Sequence, residues 1–294
     1  KAQINENITF RLAAAGGVSP KKTLQSLRWT GQFTEIAATG KMPVRLLSPA
    51  AFSVSAQSIS LGQARFSLSG GFANIDQLHW SPRGWKTQGN FSGIALLPGS
   101  QQVSNQSPLQ LGGHWNFVST QQLMGNLKIF QEQGDWYLPG EVPQPLGMKK
   151  LQLMVIAERG KLISEFNLFS QSIGSVTADL TMPIKQSDSN WSISRESALH
   201  GKVNVDINTF NWLNALLDGS MSAEGQIQAH VDIQGTLQQP DFSGTVSGSQ
   251  LSVVLLDQGI NLQQGTMTAR FHQTDLKIDR LHFVTPHEVP PDKR

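Results

Sequence analysis

Apolar residues fall on every second position along most of this chain, in short runs that stop at a turn and then resume. The stretch from Ala223 to Phe283 shows this best. Ile227, Ala229, Val231, Ile233 and Leu237 share one parity, with Gln228, His230, Asp232, Gln234 and Thr236 between them. Phe242 and Val246 follow, then Leu251, Val253 and Leu255, then Ile260 and Leu262. Met267, Ala269 and Phe271 come next, then Leu276 and Ile278, then Leu281 and Phe283. Strand side chains alternate between faces, so the pattern predicts consecutive short strands with one apolar and one polar face. Turns are expected at Gln239-Pro240-Asp241, Gly248-Ser249, Asp257-Gln258-Gly259, Gln264-Gly265 and Thr274-Asp275.

The same alternation runs upstream. Trp29 and Phe33, Phe52 and Val54, Phe66 and Leu68, Leu111 and Trp115, Leu127 and Ile129, Leu153 and Val155, and Val203 and Val205 each share a parity. Polar, Pro-rich or Gly-rich segments at 98–108, 139–147 and 185–190 read as loops. They divide one continuous unit, residues 1–294, into weaker parts at 1–97, 109–182 and 200–285. One segment departs from period two. Phe210, Leu213, Leu216 and Leu217 are three and four apart, between Asn208 and Gly219, which predicts a short amphipathic helix near 208–218 over an end or open side of the sheet.

Roughly twenty strands at this spacing indicate an all-β chain. Periodicity alone leaves two architectures open: a sandwich whose apolar faces close on each other, or an open or hollow groove. Paired in sequence, the strands would make a ladder of about 100 Å. Charged residues are only 15% of the chain, against roughly 25% in ordinary soluble domains, so Ser, Thr, Gln and Asn must supply the polar surface. Net charge is +2, with no basic run interleaved with aromatics, so nucleic acid is not an expected partner. There is no cysteine, which excludes disulfides and thiolate metal sites. No apolar run is long enough to span a bilayer. The chain starts at Lys1 rather than Met and is expected to be an internal piece of something longer.

Candidate chemistry is sparse. Seven histidines form no H-E-x-x-H pair. His230 and Asp232 share a strand face, but the polar one, where a solvated pair is the ordinary reading. Asp135, Glu141 and Glu165 carry no mark of the facing carboxylate pair that glycoside hydrolysis needs. No phosphate-binding loop or nucleophile elbow appears. No cofactor, metal or catalytic residue is expected. The tryptophans mostly follow the apolar parity, which suits core packing first and a ligand surface second.

The run from Gly235 to Gly244 (GTLQQPDFSG), entered from Ile227, Val231 and Ile233, resembles the repeated G-x-L-x-x-P-x-apolar-x-G signature of the TamB family of AsmA-like proteins. Asp257 to Leu262 and Gly265 to Phe271 continue it in the family's order. Leu27 to Gly31, Leu47 to Phe52 and Gly134 to Pro139 are similar to the family's middle region. The resemblance implies an elongated, curved β-sheet, tube- or taco-shaped, with an apolar interior. It implies a Gram-negative envelope protein, anchored in the inner membrane and crossing the periplasm. The implied partners are phospholipid acyl chains inside and, through a missing carboxy-terminal end, the outer-membrane barrel TamA. The implied function is phospholipid transport between membranes. The alternative is a chaperone-like scaffold for outer-membrane β-barrel or autotransporter assembly, and an enzyme stands third. The groove would be lined by Trp29, Phe33, Phe52, Val54, Phe66, Leu68, Leu111, Trp115, Leu127, Ile129, Leu153, Val155, Val203, Val205, Ile227, Val231, Ile233, Leu237, Phe242, Val246, Leu251, Val253, Leu255, Met267, Phe271, Leu276 and Ile278. Unpaired terminal strands would favour self-association through sheet edges.

Overall fold

A computed structural model describes residues 9–19, 27–40, 43–96, 107–138, 143–187, 190–214 and 221–286. Eighteen strands join in one sheet, and every pairing in it is antiparallel. The first eight are β1 (Phe10–Ser19), β2 (Arg28–Ala38), β3 (Val44–Leu46), β4 (Ala50–Ser55), β5 (Ser58–Leu61), β6 (Ala64–Leu68), β7 (Gly71–Ser81) and β8 (Gly84–Ala95). Then come β9 (Gln110–Ser119), β10 (Leu123–Gln133), β13 (Met148–Glu158), β14 (Lys161–Ser170) and β15 (Gly174–Pro183). The series ends with β18 (His200–Ile207), β19 (Met221–Gly235), β20 (Pro240–Leu255), β21 (Ile260–His272) and β22 (Asp275–Val284). Two short hairpins stand outside it: β11 (Tyr137–Leu138) with β12 (Gln144–Pro145), and β16 (Lys185–Ser187) with β17 (Asn190–Ser192).

Ladder order follows chain order, from β1 to β22. Among the described residues it splits at β2, which takes β3 and β4 end to end, and at β7, which takes β5 and β6. Sixteen rungs at ~4.8 Å give a ladder of about 70 Å. It is shorter than strand counting predicts because the two hairpins leave the sheet and two rungs are shared. Among the described residues nothing pairs β1 with β22, so the long curved sheet is open-edged, not a barrel.

A sandwich needs a second sheet over the apolar face; among the described residues there is none. No described Phe or Trp is fully buried, and Leu109 is the largest side chain that is. Exposure is highest on the terminal strands, where Phe10 of β1 is 62% and Leu276 of β22 63% exposed. One small cluster, Leu46, Ala50 and Ala64 with Phe33, Ile36, Leu61, Phe66 and Ile75 against it, marks the split rungs.

Strand irregularities keep the faces pure. In six places the apolar spacing slips from two to three: Phe33 to Ile36, Ile75 to Leu78, Phe91 to Ile94, Gly248 to Leu251, Leu262 to Gly265 and Ile278 to Leu281. At each the ladder shifts by one residue. A three-residue step in a regular strand would carry the second residue to the polar face; one extra, unpaired residue returns it. Two of the expected turns are bulges of this kind. Gly248-Ser249 lies inside β20, followed by Gln250 at φ 52°, and Gln264-Gly265 lies inside β21, with Gln264 at φ 53°. The left-handed residues are the glutamines; the glycines make room, since a Cβ on Gly248 would meet the Leu251 side chain and one on Gly265 the Phe283 ring. The other three expected turns do end strands.

The strand ends form two rims. The first carries the tight hairpins β4 to β5, β7 to β8, β9 to β10, β13 to β14 and β19 to β20. The segments 184–187 and 190–199 run along it: the Trp191 indole N–H donates to Ser119 Oγ (2.7 Å), and backbone bonds tie Leu199 to Gly235 and Gln238 to Arg195. The second rim is fastened by Asp135, whose carboxylate accepts the backbone N–H groups of Trp136, Gly147 and Met148 at 2.8, 2.9 and 3.0 Å. Leu109, Leu146 and Met148 are buried around it. The helix α1 (Asn211–Asn214) is a single turn packed on β19. The rest of the expected helix, residues 215–218, lies outside the described residues.

Candidate binding groove

Directly opposed residues of an antiparallel pair share a face, so the registers can be followed strand by strand. Leu46, Phe66, Ala73, Phe91, Gly113, Ile129, Leu153, Phe166, Ala178, Val203, Val231, Gly244, Phe271 and Leu276 are successive partners. Every member is apolar or glycine. A parallel line runs through Ala64, Ile75, Gly89, Trp115, Leu127, Val155, Ser164, Leu180, Gly201, Ile233 and Phe242. Nearer the second rim, Leu151, Leu168, Val176, Val205, Ala229, Val246, Ala269 and Ile278 form another, and Ile207, Ile227, Gly248, Met267 and Leu281 a fourth.

Toward the first rim the line is Gly31, Phe52, Leu61, Leu78, Thr87, Phe117, Gly125, Ala157, Leu162 and Met182. At the rim itself Val18, Trp29, Val54, Ile59, Trp80, Trp85, Ser119 and Leu123 are successive partners. Phe33, Leu68, Leu111, Leu251, Val253 and Leu255 stand on the same face, by their parity within β2, β6, β9 and β20. Leu237 does not: it lies in the β19 to β20 hairpin, 45% exposed, and its backbone N–H bonds Ser197. The parity count ran on past Gly235, whose φ of 85° has already turned the chain.

Phe91, Phe117, Phe166 and Leu180, not among the expected lining residues, also stand on these lines. Glycines stand there too. A Cβ on Gly89 would lie 2.4 Å from Trp115 Cζ2, one on Gly113 2.5 Å from Phe91 Cζ, and one on Gly244 2.9 Å from Phe271 Cζ. Each ring therefore lies down across the neighbouring strand instead of standing off the sheet. Trp29, Phe52 and Phe33 form a continuous aromatic strip, with centroids 4.4 and 3.9 Å apart. A glycine two residues from an aromatic in an alternating run was the available signal.

The few polar residues on this face are mostly engaged within the chain. Thr87 Oγ1 accepts the Trp115 indole N–H at 3.0 Å, and Ser119 takes that of Trp191. Ser170 Oγ donates to the Leu146 carbonyl. Gln131 donates to the carbonyls of Gly134 and Met148 at 3.0 and 3.2 Å. No titratable side chain stands on any of the six lines. The face can therefore pack against hydrocarbon and offers no charge to neutralise.

The opposite face is polar. Asn74 donates to Asn90 (2.8 Å), and His230 Nδ1 meets Asn204 Oδ1 (2.6 Å), while its Nε2 lies 3.6 Å from Asp232. Arg270 and Asp279 form a two-bond pair, 2.7 Å each; the guanidinium holds the Asp279 carboxyl below the usual carboxylate range, and Asp279 raises Arg270. Asp135 is spent on backbone, Glu165 lies on the polar face, and Glu141 is outside the described residues. Among the described residues no three His, Asp or Glu gather to hold a metal, and no helix is long and apolar enough to cross a membrane.

Residues 89–247 match the family model described as TamB, N-terminal domain. No curated protein and no solved structure matches the chain.

Proposed function

The chain belongs to the TamB family, and from that premise we propose that its apolar face carries the acyl chains of phospholipids, as a periplasmic segment of a conduit between inner and outer membranes. Membership in this cell-envelope family supports a role in outer-membrane assembly or lipid transport. The observation that carries the finer reading is the line from Leu46 to Leu276: fourteen ladder partners without one polar side chain and, among the described residues, with no second layer above them. An acyl chain of about fifteen methylenes meets a barrier of roughly 12 kcal/mol in water, at about 0.8 kcal/mol each. A continuous apolar floor removes that cost along the whole path. Because no line contains a charged or deep polar site, the ligand is held nowhere long enough to stall.

Lipid extracted from the purified chain is expected to contain phospholipid by mass spectrometry. Val253→Asp and Ile233→Asp each place a carboxylate on the floor. Both are expected to abolish lipid transfer by the full-length protein while circular dichroism still reports the sheet. Transfer that survives both substitutions in a folded protein would end the conduit reading. The second reading, a scaffold that pairs with unfolded outer-membrane strands, is favoured by the unpaired edges of β1 and β22 among the described residues. Protection of β22 amides by a β-rich peptide, with the groove free of lipid, would support it. Docking to the outer-membrane barrel TamA belongs to either reading.

A further inference from the structure

The two rims are closed differently. Around β9 to β14 the second rim is closed by the Asp135 loop over Leu109 and Leu146. Between β2 and β8 the first rim is lined by Trp29, Trp80 and Trp85, with Trp80 and Trp85 direct partners across one turn. Trp80 is 42% exposed. These three indoles make no hydrogen bond to another described residue, and neither does that of Trp136 at the second rim, whereas those of Trp115, Trp191 and Trp212 are satisfied.

Charge follows the same edge. Arg83 sits in the turn between Trp80 and Trp85, while Arg28 and Lys86, next to Trp29 and Trp85 in the chain, stand on the polar face just behind them; none forms an ion pair with a described residue. From Ile36 to Gln131 the chain holds one acidic residue, Asp76, and it lies at the β7 bulge rather than at this rim. The rim is therefore cationic with no carboxylate to compete for it. An indole with its ring on hydrocarbon and its N–H toward water suits a boundary between tail and head. Free guanidinium and ammonium groups beside it suit a phosphodiester.

Building on the acyl-chain reading above, we propose that the first rim between β2 and β8 seats the phosphate-bearing head of a lipid whose tails lie in the groove. Heads emerge by this rim, so lipid moves along the sheet in one orientation.

The test uses the whole chain and two short-chain ligands below their micellar range, dihexanoyl phosphatidylglycerol and dihexanoylglycerol, read by tryptophan fluorescence. The phosphorylated lipid is expected to bind about tenfold more tightly, the scale of one or two charge-assisted contacts. Arg83→Gln with Lys86→Gln should erase that preference. Arg159→Gln with Lys161→Gln, on the same rim at the β13 to β14 hairpin, should keep it. Inorganic phosphate should not displace the lipid. Equal binding of both ligands to the unsubstituted chain, or an unchanged preference in the Arg83 and Lys86 variant, overturns the head-group seat and leaves the groove standing. Displacement by inorganic phosphate reduces the seat to a general anion patch and overturns it as well. Binding of neither ligand defeats the groove reading itself, and the seat with it.

Discussion

Two single-residue deletions in β20 separate the claim that the apolar face dictates register from the weaker claim that this segment is merely extended. Gly248 and Leu251 are three apart, and the ladder absorbs one residue between them. Deleting Gln250 makes the step two. Gly248, Leu251, Val253 and Leu255 then keep their face in a regular strand. The deletion also removes a non-glycine residue at φ 52°, a conformation costing roughly 1 kcal/mol. Its expected net effect is within about 1 kcal/mol of the parent. Deleting Thr245 instead breaks the two-residue step between Gly244 and Val246. Leu251 and beyond can recover their face by flattening the bulge, but Val246 turns outward while Ser247 and Ser249 turn in. A half-buried valine is worth about 1 kcal/mol, and each hydroxyl turned onto an apolar face costs ~1–2 kcal/mol. The deletion of Thr245 should therefore cost about 3–5 kcal/mol in urea unfolding followed by tryptophan fluorescence. Equal costs, or a larger cost for Gln250, would show that the apolar parity does not set the register.

Two smaller effects can be read in the same preparation. Thr87→Val leaves the Trp115 indole N–H without its acceptor, so a loss of about 1–2 kcal/mol and a changed near-ultraviolet dichroism are expected, with Thr87→Ser restoring both; an unchanged spectrum would mean that Trp115 is held by Gly89 alone. The Asp279 carboxyl is held low by Arg270, so its contribution is full above the unfolded value near 4 and lost as pH falls through the lower folded value. Amide exchange should therefore report fraying of β22 only in acid, and Asp279→Asn should remove that dependence; fraying that begins near neutrality would contradict it.

Most of the strand faces were legible because period two is a local signal that survives without any knowledge of what lies above the sheet. Val203, Val231 and Phe271 could be placed together from parity within their own runs. What parity cannot see is a break in the count. Leu237 was counted across a hairpin, and Gly248 and Gly265 were read as turns because glycine beside a polar residue serves both purposes. The three-residue apolar step, Leu262 to Gly265 or Ile278 to Leu281, distinguishes them: a turn reverses the chain, whereas a bulge only restores the face. The rims were not legible at all. Asp135 meets Gly147 and Met148, and Trp191 meets Ser119, across separations that no local pattern records.

A single-layer sheet must hold its apolar face without the core that a second layer supplies. Part of the answer lies along the strands' own lines. A ring laid over a glycine of the next strand, as Trp115 over Gly89 or Phe91 over Gly113, buries area against backbone in its own layer. The same side chain standing upright would wait for a partner from above. That arrangement explains why aromatic residues here are half-buried rather than buried, and why no facing sheet is needed for the fold to persist. It also leaves the upper surface of each ring free. Removing the glycine would push the ring up into the space over the sheet, so under the proposed acyl-chain function the small residues serve stability and access together. A face built to be closed by another sheet would gain nothing from keeping its largest side chains flat; one built to receive a flexible hydrocarbon gains an unobstructed floor.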